Sequence, residues 1–369
     1  MILKTEQLKN VCSKLLLSID NNNISKINEL LEIKNVNDKL ELSITNKEYI
    51  VKIYLNAQNI ENFHATINAE VFLKLISQIT TDNVEFKIEN NNLVIIGNGK
   101  YVFPMIYDDD TLFELPDIDI VHETNQFELS TIVLEQILNH NSKEIVVSEI
   151  SHPVQKMYYI DNEGCITFTS GACVTNFVLG QDIKFLLNAK IVKLFKLFNG
   201  EKIECIYGYN LLNDGKKQHR IKFKNDVITL ITILNDDDSL INAVPVTAIR
   251  KRMNDTYDYS VLFNKNVFLQ TINRLILFDE NNQTLQPYWL FEFNSDFVTI
   301  YDKHKINNEK VKYNNSISLD EYETAIDLNS LKSVLDSCKE EYVTFNFGNH
   351  QAIVIKKNNV YNIIPEIII

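Results

Sequence analysis

Glycine and proline are scarce in this chain, and their scarcity narrows the chemistry it can carry. Nine glycines and six prolines are spread over 369 residues. None of the glycines falls in a G-x-x-x-x-G-K or G-x-G-x-x-G arrangement, so the loops that cradle phosphates in nucleotide enzymes are missing. Gly97-Asn98-Gly99 reads as a hairpin turn. Seven histidines never fall as H-x-x-x-H, the spacing that puts two imidazoles on one helix face around zinc. Five cysteines, Cys12, Cys165, Cys173, Cys205 and Cys338, are scattered, odd in number and never spaced C-x-x-C. Neither a disulfide framework nor a zinc site is indicated, and a reducing cytoplasm is the expected setting. No apolar run approaches the roughly 18 residues of a membrane helix. The patch at residues 15–17 is broken up by Lys4, Lys9 and Lys14 with no cleavage site after it, so a soluble, non-exported protein is expected. No catalytic residue, metal or cofactor can be nominated.

What is present is a chain that is 45% apolar, enough to bury large cores. Period-2 strand patterns dominate: residues 40–44 then 49–54, 84–88 then 93–96, 203–207 then 221–223. Turn residues such as Asn90-Asn91-Asn92, Asn213-Asp214-Gly215 and Asn358-Asn359 bound them, so antiparallel hairpins are expected rather than βαβ units. Six segments have helical periodicity: 5–19, 68–79, 130–140, 188–199, 264–278 and 328–339. They fall into pairs whose members start 63, 58 and 64 residues apart, and successive pairs begin 125 and 134 residues apart. A second repeat has nearly the same period. Asp108-Asp109-Asp110-Thr111-Leu112 with Pro116 returns as Asp236-Asp237-Asp238-Ser239-Leu240 with Pro245, and Tyr101-Val102-Phe103-Pro104 is echoed by Tyr361-Asn362-Ile363-Ile364-Pro365. The expected fold is α+β, with three similar domains at 1–121, 122–252 and 253–369, each carrying antiparallel sheets outside and two helices inside.

The formal net charge of −13 argues at first against a polyanionic partner. Yet the six helical segments, extended by residues 141–143, hold eleven Lys or Arg against four Asp or Glu, a balance of +7 that leaves −20 for the rest. Segregation of one sign on repeated helices suits a surface facing a polyanion. On a wheel of residues 190–198, Ile191, Leu194, Phe195 and Phe198 share one face while Lys190, Lys193 and Lys196 take the other. A solvated helix face is the plain alternative. The acidic triplets at 108–110 and 236–238 have the ligand type for a hard cation, but no Gly-x5-Glu loop accompanies them, and solvated loops are the better expectation.

Residues 86–95 and 108–116, then Thr167-Phe168-Thr169-Ser170-Gly171, Ala243-Val244-Pro245, Asn273-Arg274 and the terminal Tyr361-Asn362-Ile363-Ile364-Pro365 follow one another in a set order along the chain. In that order and spacing the chain resembles, over nearly its whole length, the bacterial DNA sliding clamp, the beta subunit of the replicative DNA polymerase III. Thr167 to Gly171 is similar to the family's Thr-Asp-Gly motif, and the terminal segment to its apolar-Met-Pro ending. The family implies a non-catalytic homodimer ring around double-stranded DNA. It also implies a pocket into which the replicative polymerase and the clamp loader insert a short apolar peptide. The matching pocket positions are Thr169, Gly171, Val174, Leu240, Val244, Pro245, Ile364 and Pro365. Those for the subunit contact are Tyr101, Phe103, Leu277 and Phe278, with Pro104 suited to an edge strand. The DNA-facing set would be Lys9, Lys14, Lys74, Lys190, Lys193, Lys196, Lys265, Arg274 and Lys332. If twelve helices about 10 Å apart line a ring, the opening is roughly 28 Å once helix radii are removed, against roughly 20 Å for duplex DNA.

The chain departs from the family where His-Arg commonly follows the glycine, since it has Ala172-Cys173, and at its end, where Ile364-Pro365-Glu366-Ile367 stands for Met-Pro-Met-Arg. A less positive pocket rim and a different preferred peptide are expected, as in a viral or divergent member. Two other classes stay open: a β-rich repeat adaptor that never meets DNA, and a metal-dependent nuclease built on an acidic cluster.

Overall fold

The computed structural model describes residues 1–19, 26–57, 63–145, 151–198, 201–235, 237–278, 288–319, 321–348 and 351–367. Asn199 of the fourth expected helix and Asp236 of the second acidic triplet lie outside them. Packing divides the chain into two compact units: Met1–Thr131 with Lys193–Asp236, and Ile132–Val192 with Asp237–Ile369. The middle third expected from sequence contributes to both.

The six expected helices form as α1 Thr5–Leu16, α2 Ala69–Gln78, α3 Thr131–Asn139, α4 Ala189–Lys193, α7 Lys265–Ile276 and α8 Leu328–Ser337, once two further helices, α5 Asp238–Ala243 and α6 Val246–Asn254, are counted. In α1 the buried Leu8, Val11, Cys12 and Leu15 recur at three and four residues, the stripe that a 3.6-residue turn brings onto one face. Asn264 caps α7 by accepting a hydrogen bond from the Val267 amide, and Asp327 caps α8 by accepting one from Asn329. Within the first unit α1 packs beside α2, and within the second α7 packs beside α8.

The first unit has a four-stranded sheet, in the order Ile2–Lys4, Asn83–Glu89, Asn92–Ile96, Lys100–Pro104. Its larger, eight-stranded sheet runs His122–Leu129, Ile203–Leu211, Lys217–Lys224, Ile228–Ile233, Tyr49–Asn56, Lys39–Thr45, Leu30–Val36, His64–Asn68. The second unit repeats the plan. Its eight-stranded sheet runs Lys184–Asn188, Met157–Asp161, Gly164–Phe168, Ala172–Asn176, Val360–Pro365, Ala352–Lys357, Tyr342–Phe347, Tyr259–Asn264. Its four-stranded sheet runs Asn308–Lys312, Phe297–Tyr301, Trp289–Phe293, Tyr322–Ile326. All strand pairs among the described residues are antiparallel, which makes the fold α+β. The hairpin turns explain much of this. Asn37-Asp38 and Asn90-Asn91 have φ of 49° and 61°, and 49° and 60°, the left-handed values that a two-residue turn of right-handed twist demands and that Asn and Asp tolerate.

The second unit's main core is aromatic. Phe263 stacks on Phe268 at 4.3 Å and meets Phe345 edge-on, while Phe293 stacks on Phe347 at 4.1 Å. All five cysteines are free and buried, and burial pushes every thiol up, which leaves them as inert packing groups. Among the described residues no helix is long and apolar enough to cross a membrane, and no group of three His, Cys, Asp or Glu could hold a metal.

The two acidic repeats do not share a conformation. Tyr107–Asp108 pairs with Thr111–Leu112 around a turn in which Asp109 has φ of 52°. In the second copy Asp237 is a helix cap whose carboxylate accepts from the Ser239 amide at 2.8 Å. Asp237 and Asp238 are exposed, as expected, but they open a helix rather than sit in a loop.

Candidate functional site

In the second unit, strands Gly164–Phe168 and Ala172–Asn176 form a hairpin whose tip is Thr169-Ser170-Gly171. The second strand pairs with Val360–Pro365, Ala172 opposite Ile363. A Cβ at Gly171 would stand 2.6 Å from the Ile363 carbonyl oxygen, so only glycine lets these two backbones approach. Helices α5 and α6 lie over the same face of this sheet, and Ile249 is their deepest anchor at 7% exposure. Arg250 fixes α6 to the sheet by gripping both oxygens of Asp161, at 2.6 and 2.8 Å, and Glu163 at 3.0 Å.

Between the hairpin tip, α6 and the last strands is a cleft of about 220 Å³. Phe168, Ala172, Pro245, Ala248, Ile249, Ala352, Ile363 and Pro365 make it largely apolar, and Thr169, Ser170, Gln351 and Arg252 add polar atoms. Such a cleft can accept one or two apolar side chains and orient them with a few polar contacts.

Behind the hairpin tip lies a fully buried polar staple. Asn141, 0% exposed, donates to the Cys173 carbonyl at 3.0 Å and to Thr167 Oγ1 at 3.2 Å, and its Oδ1 accepts from Thr175 Oγ1 at 2.7 Å. Thr169 Oγ1, on the cleft wall, donates to the buried Glu144 at 2.7 Å. Burial pushes the Glu144 carboxyl above the usual carboxylate range, against the pull of that hydrogen bond.

Of the pocket residues expected from sequence, Thr169, Gly171, Pro245 and Pro365 line the cleft. Val174, Val244 and Leu240 belong to the apolar cluster that supports it rather than to its surface. Ile364 is misplaced in the expectation. Alternation along Val360–Pro365 sends it, 2% exposed, into the aromatic core, and Ile363 faces the cleft instead. Glu366 is corrected too, because Tyr322 and Thr324 donate to its carboxylate at 2.9 Å and hold it against a neighbouring strand. The rim has a cation after all. Arg252 went unnoticed because α6 buries a single residue, Ile249, so its apolar period is silent. Lys251 and Arg252 in the last turn were the available signal.

Lys190, Lys193 and Lys196 are exposed, and Val192, Leu194, Phe195, Leu197 and Phe198 are buried. After α4 the chain tightens into a 3-10 helix, Leu194–Phe198. Three residues per turn bring positions three apart closer to a single row than the α-helical wheel allowed. Lys193 and Lys196 make no ion pair among the described residues. The other cations differ. Lys74 pairs with Glu70 at 2.5 Å, Arg274 holds Glu309 through two nitrogens, and Lys265 Nζ donates to the Cys338 carbonyl at 3.0 Å. Lys9, Lys14 and Lys332 are half-buried.

At the expected subunit contact, Lys100–Pro104 is the edge of its sheet, Tyr101 is half-buried, and Leu277 and Phe278 are 65% and 50% exposed. Phe103 is corrected. Its ring is 8% exposed and meets Phe72 edge-on at 5.9 Å inside its own core.

No family model and no curated protein matches the sequence. Solved structures do match in shape. The chain is similar to the DNA polymerase sliding clamp of Bacillus subtilis, with a TM-score of 0.80 at 13% identity over 100% of this chain and 98% of the other. It is similar to the DNA polymerase beta subunit of Streptococcus pyogenes, 0.81 at 14% over 99% of each. For the Helicobacter pylori beta clamp bound to a DNA ligase peptide the TM-score is 0.76 at 15%, over 100% and 99%. The chain has the sliding-clamp fold.

Proposed function

We propose that this chain, having the sliding-clamp fold, is a non-catalytic processivity factor. Two copies close head to tail around double-stranded DNA, and the cleft tethers a replicative polymerase, the clamp loader and other proteins through short peptides, in the cytoplasm of the cell or of a virus's host. The observation that carries this reading is the agreement in fold with clamps over the whole chain at TM-scores near 0.8. A fold serves many functions, so residues must carry the rest. An exposed lysine row on a chain of net charge −13 supports loose contact with phosphates, which screening keeps weak enough for sliding. A cleft made largely of apolar side chains supports peptide capture, and the Helicobacter pylori clamp carries a ligase peptide.

In this reading the domains are residues 1–121, 122–252 and 253–369. Tyr101, Leu277 and Phe278 contribute to the contact between copies, with the edges Lys100–Pro104 and Asn308–Lys312 available for pairing. Lys190, Lys193 and Lys196 lead the DNA-facing set, followed by Lys9, Lys14 and Lys332.

The test is topological. Loaded on a nicked circular plasmid, the protein should stay bound in high salt and be lost when the circle is cut. Equal retention on linear DNA, or no loading at all, would remove the ring; degradation of the plasmid with magnesium would point to a nuclease instead. Changing Lys190, Lys193 and Lys196 to Glu should make the salt dependence of duplex binding shallower by a log–log slope of about 2 to 3.

A further inference from the structure

Residues 113–121 form neither helix nor strand, yet they lie across the first unit's eight-stranded sheet and bury Leu115, Ile118 and Ile120 to 8% exposure or less. From Glu114 to Val121 this strap makes no backbone-to-backbone hydrogen bond among the described residues. The amides of Asp119 and Ile120 donate instead to carboxylates of the strap itself, Asp117 Oδ1 at 3.1 Å and Asp119 Oδ1 at 2.8 Å. The Val121 amide donates to Asn210 Oδ1 at 2.7 Å.

Side chains of the sheet fasten the strap, largely by charge. Lys222 meets Asp119 at 2.6 Å and Lys52 meets Asp117 at 3.7 Å. Arg220 Nη1 and Asn210 Nδ2 donate to the Asp119 carbonyl at 3.0 and 2.9 Å. Between these ties the apolar contacts are small. Ile118 packs with Ile50 and Ile231, and Ile120 fills the space left by Gly208, where a Cβ would stand 2.5 Å from its Cγ2. The closure is also incomplete, because Arg220 Nε is buried with no hydrogen-bond partner. Lifting the strap would let water satisfy that donor. A cover without a backbone ladder opens at a lower free energy than the sheet beneath it. With the Asp117 and Asp119 side chains 73% and 44% exposed, salt reaches the ion pairs and weakens them while leaving the apolar contacts in place.

We infer that residues 113–121 are a self-bound ligand: the strap lifts in one piece, and the face it leaves accepts an extended segment of another chain in which aliphatic side chains alternate with carboxylates. The chemistry of that segment is read from the present occupant, Asp117-Ile118-Asp119-Ile120. Its isoleucines fill the sockets at Ile50, Ile231 and Gly208, and its carboxylates meet Lys52 and Lys222.

The experiment has two parts, both on the full chain. In hydrogen exchange read by mass spectrometry, peptic fragments covering 113–121 should exchange about fivefold faster in 1 M than in 50 mM sodium chloride. Those covering Tyr49–Asn56 and Ile228–Ile233 should not change. Lys222→Gln should bring the fast exchange into low salt and shrink the salt effect. In fluorescence anisotropy, a fluorescein-labelled peptide of residues 112–121 should bind Ile118→Ser, whose own strap is loosened. It should bind the parent at least about tenfold more weakly, because a tethered segment competes at high effective concentration. A scrambled peptide should bind neither. Should Ile118→Ser lose its circular dichroism, Asp119→Asn takes its place. Strap exchange that ignores salt would overturn the release. No binding of the peptide to a folded strap variant would overturn the acceptance of a second segment. Equal binding by parent and variant would put the peptide elsewhere and likewise end the proposal.

Discussion

The two units share a plan and differ in what covers the outer face of the eight-stranded sheet. In the first unit that face is charged. Glu32 and Glu41, 1% and 3% exposed, lie beneath Lys34 and His64, with Lys34 Nζ 2.9 Å from Glu32 and His64 Nε2 3.0 Å from it. The segment after the first acidic repeat crosses this face in extended form. It is pinned by Thr66 donating to the Phe113 carbonyl at 2.6 Å, by Lys222 on Asp119 at 2.6 Å, and by Ile118 against Ile50 and Ile231. In the second unit the corresponding face is apolar, from Tyr159 through Val174 to Ile363, and the segment after the second repeat coils into α5 and α6. A helix pair touches a flat sheet along a stripe and leaves space at its side, and the cleft is that space. An extended cover fastened by side chains along its length follows the sheet closely.

This contrast can be broken from either side. The largest effect is expected in the charged face. Lys34→Met leaves two buried carboxylates without their ammonium and should cost about 3–5 kcal/mol in urea unfolding; a loss under about 1 kcal/mol would mean that water already reaches the cluster. Burial alone would lower the Lys34 ammonium, but the hydrogen bond to Glu32 and the charges of Glu32, Glu41 and Glu114 carry it above its ordinary value. Its contribution is therefore complete below about pH 10.4 and is lost as pH rises through the raised value.

In the apolar unit, Asn141→Ala takes the acceptor from the Thr175 hydroxyl and the amide donor from the Cys173 carbonyl, while Thr167 keeps its bond to the residue-141 carbonyl, for an expected loss of about 2–3 kcal/mol. Peptide binding should fall with it. Normal stability would show that the hairpin holds without its staple.

A pH effect of about 2–3 kcal/mol should follow from His140, whose imidazole is 4% exposed and 2.9 Å from Ser337 Oγ. Burial first, then the charge of Lys357, lowers its pKa to about 4. The unfolded chain protonates near pH 6.5 and the folded one does not, so stability is full above 6.5 and drains away as pH falls toward 4. Urea midpoints of the parent and His140→Gln across that window should converge at low pH; parallel curves would exclude His140 as the cause.

The smallest change is expected from the cap of α5. Asp237→Ala removes the carboxylate that holds the Ser239 amide and should lower Tm slightly, with recovery in Asp237→Asn, which can still cap. No recovery would mean that the negative charge at the helix start, rather than the cap hydrogen bond, is what matters.

Local periodicity made most elements legible. The helical segment that carries the stripe Leu8, Val11, Cys12, Leu15 and the turn at Asn90-Asn91 announce their structures because the cause lies within a few residues. The cleft was half legible. Thr169, Gly171, Pro245 and Pro365 were found through a resemblance, whereas Ile364 was chosen over Ile363 because a one-residue error in a strand exchanges its faces. Helix α6 and Arg252 were missed, since a helix held mainly by Ile249 and an ion pair to Asp161 leaves little periodic signal.

By itself the sequence determined the alternation of strands and helices, the repeated spacing of the helix pairs, and the concentration of lysine on the face of residues 190–198 opposite the apolar one. These follow from side-chain period and charge, which are local. Only the tertiary structure decided that similar acidic repeats become a turn in one unit and a helix cap in the other. It alone decided that Glu366 is turned inward while Arg252 stands at the cleft. In each case the deciding partner, the charged face around Glu32 and Glu41, the Tyr322 hydroxyl or the Asp161 carboxylate, comes from a distant stretch of chain.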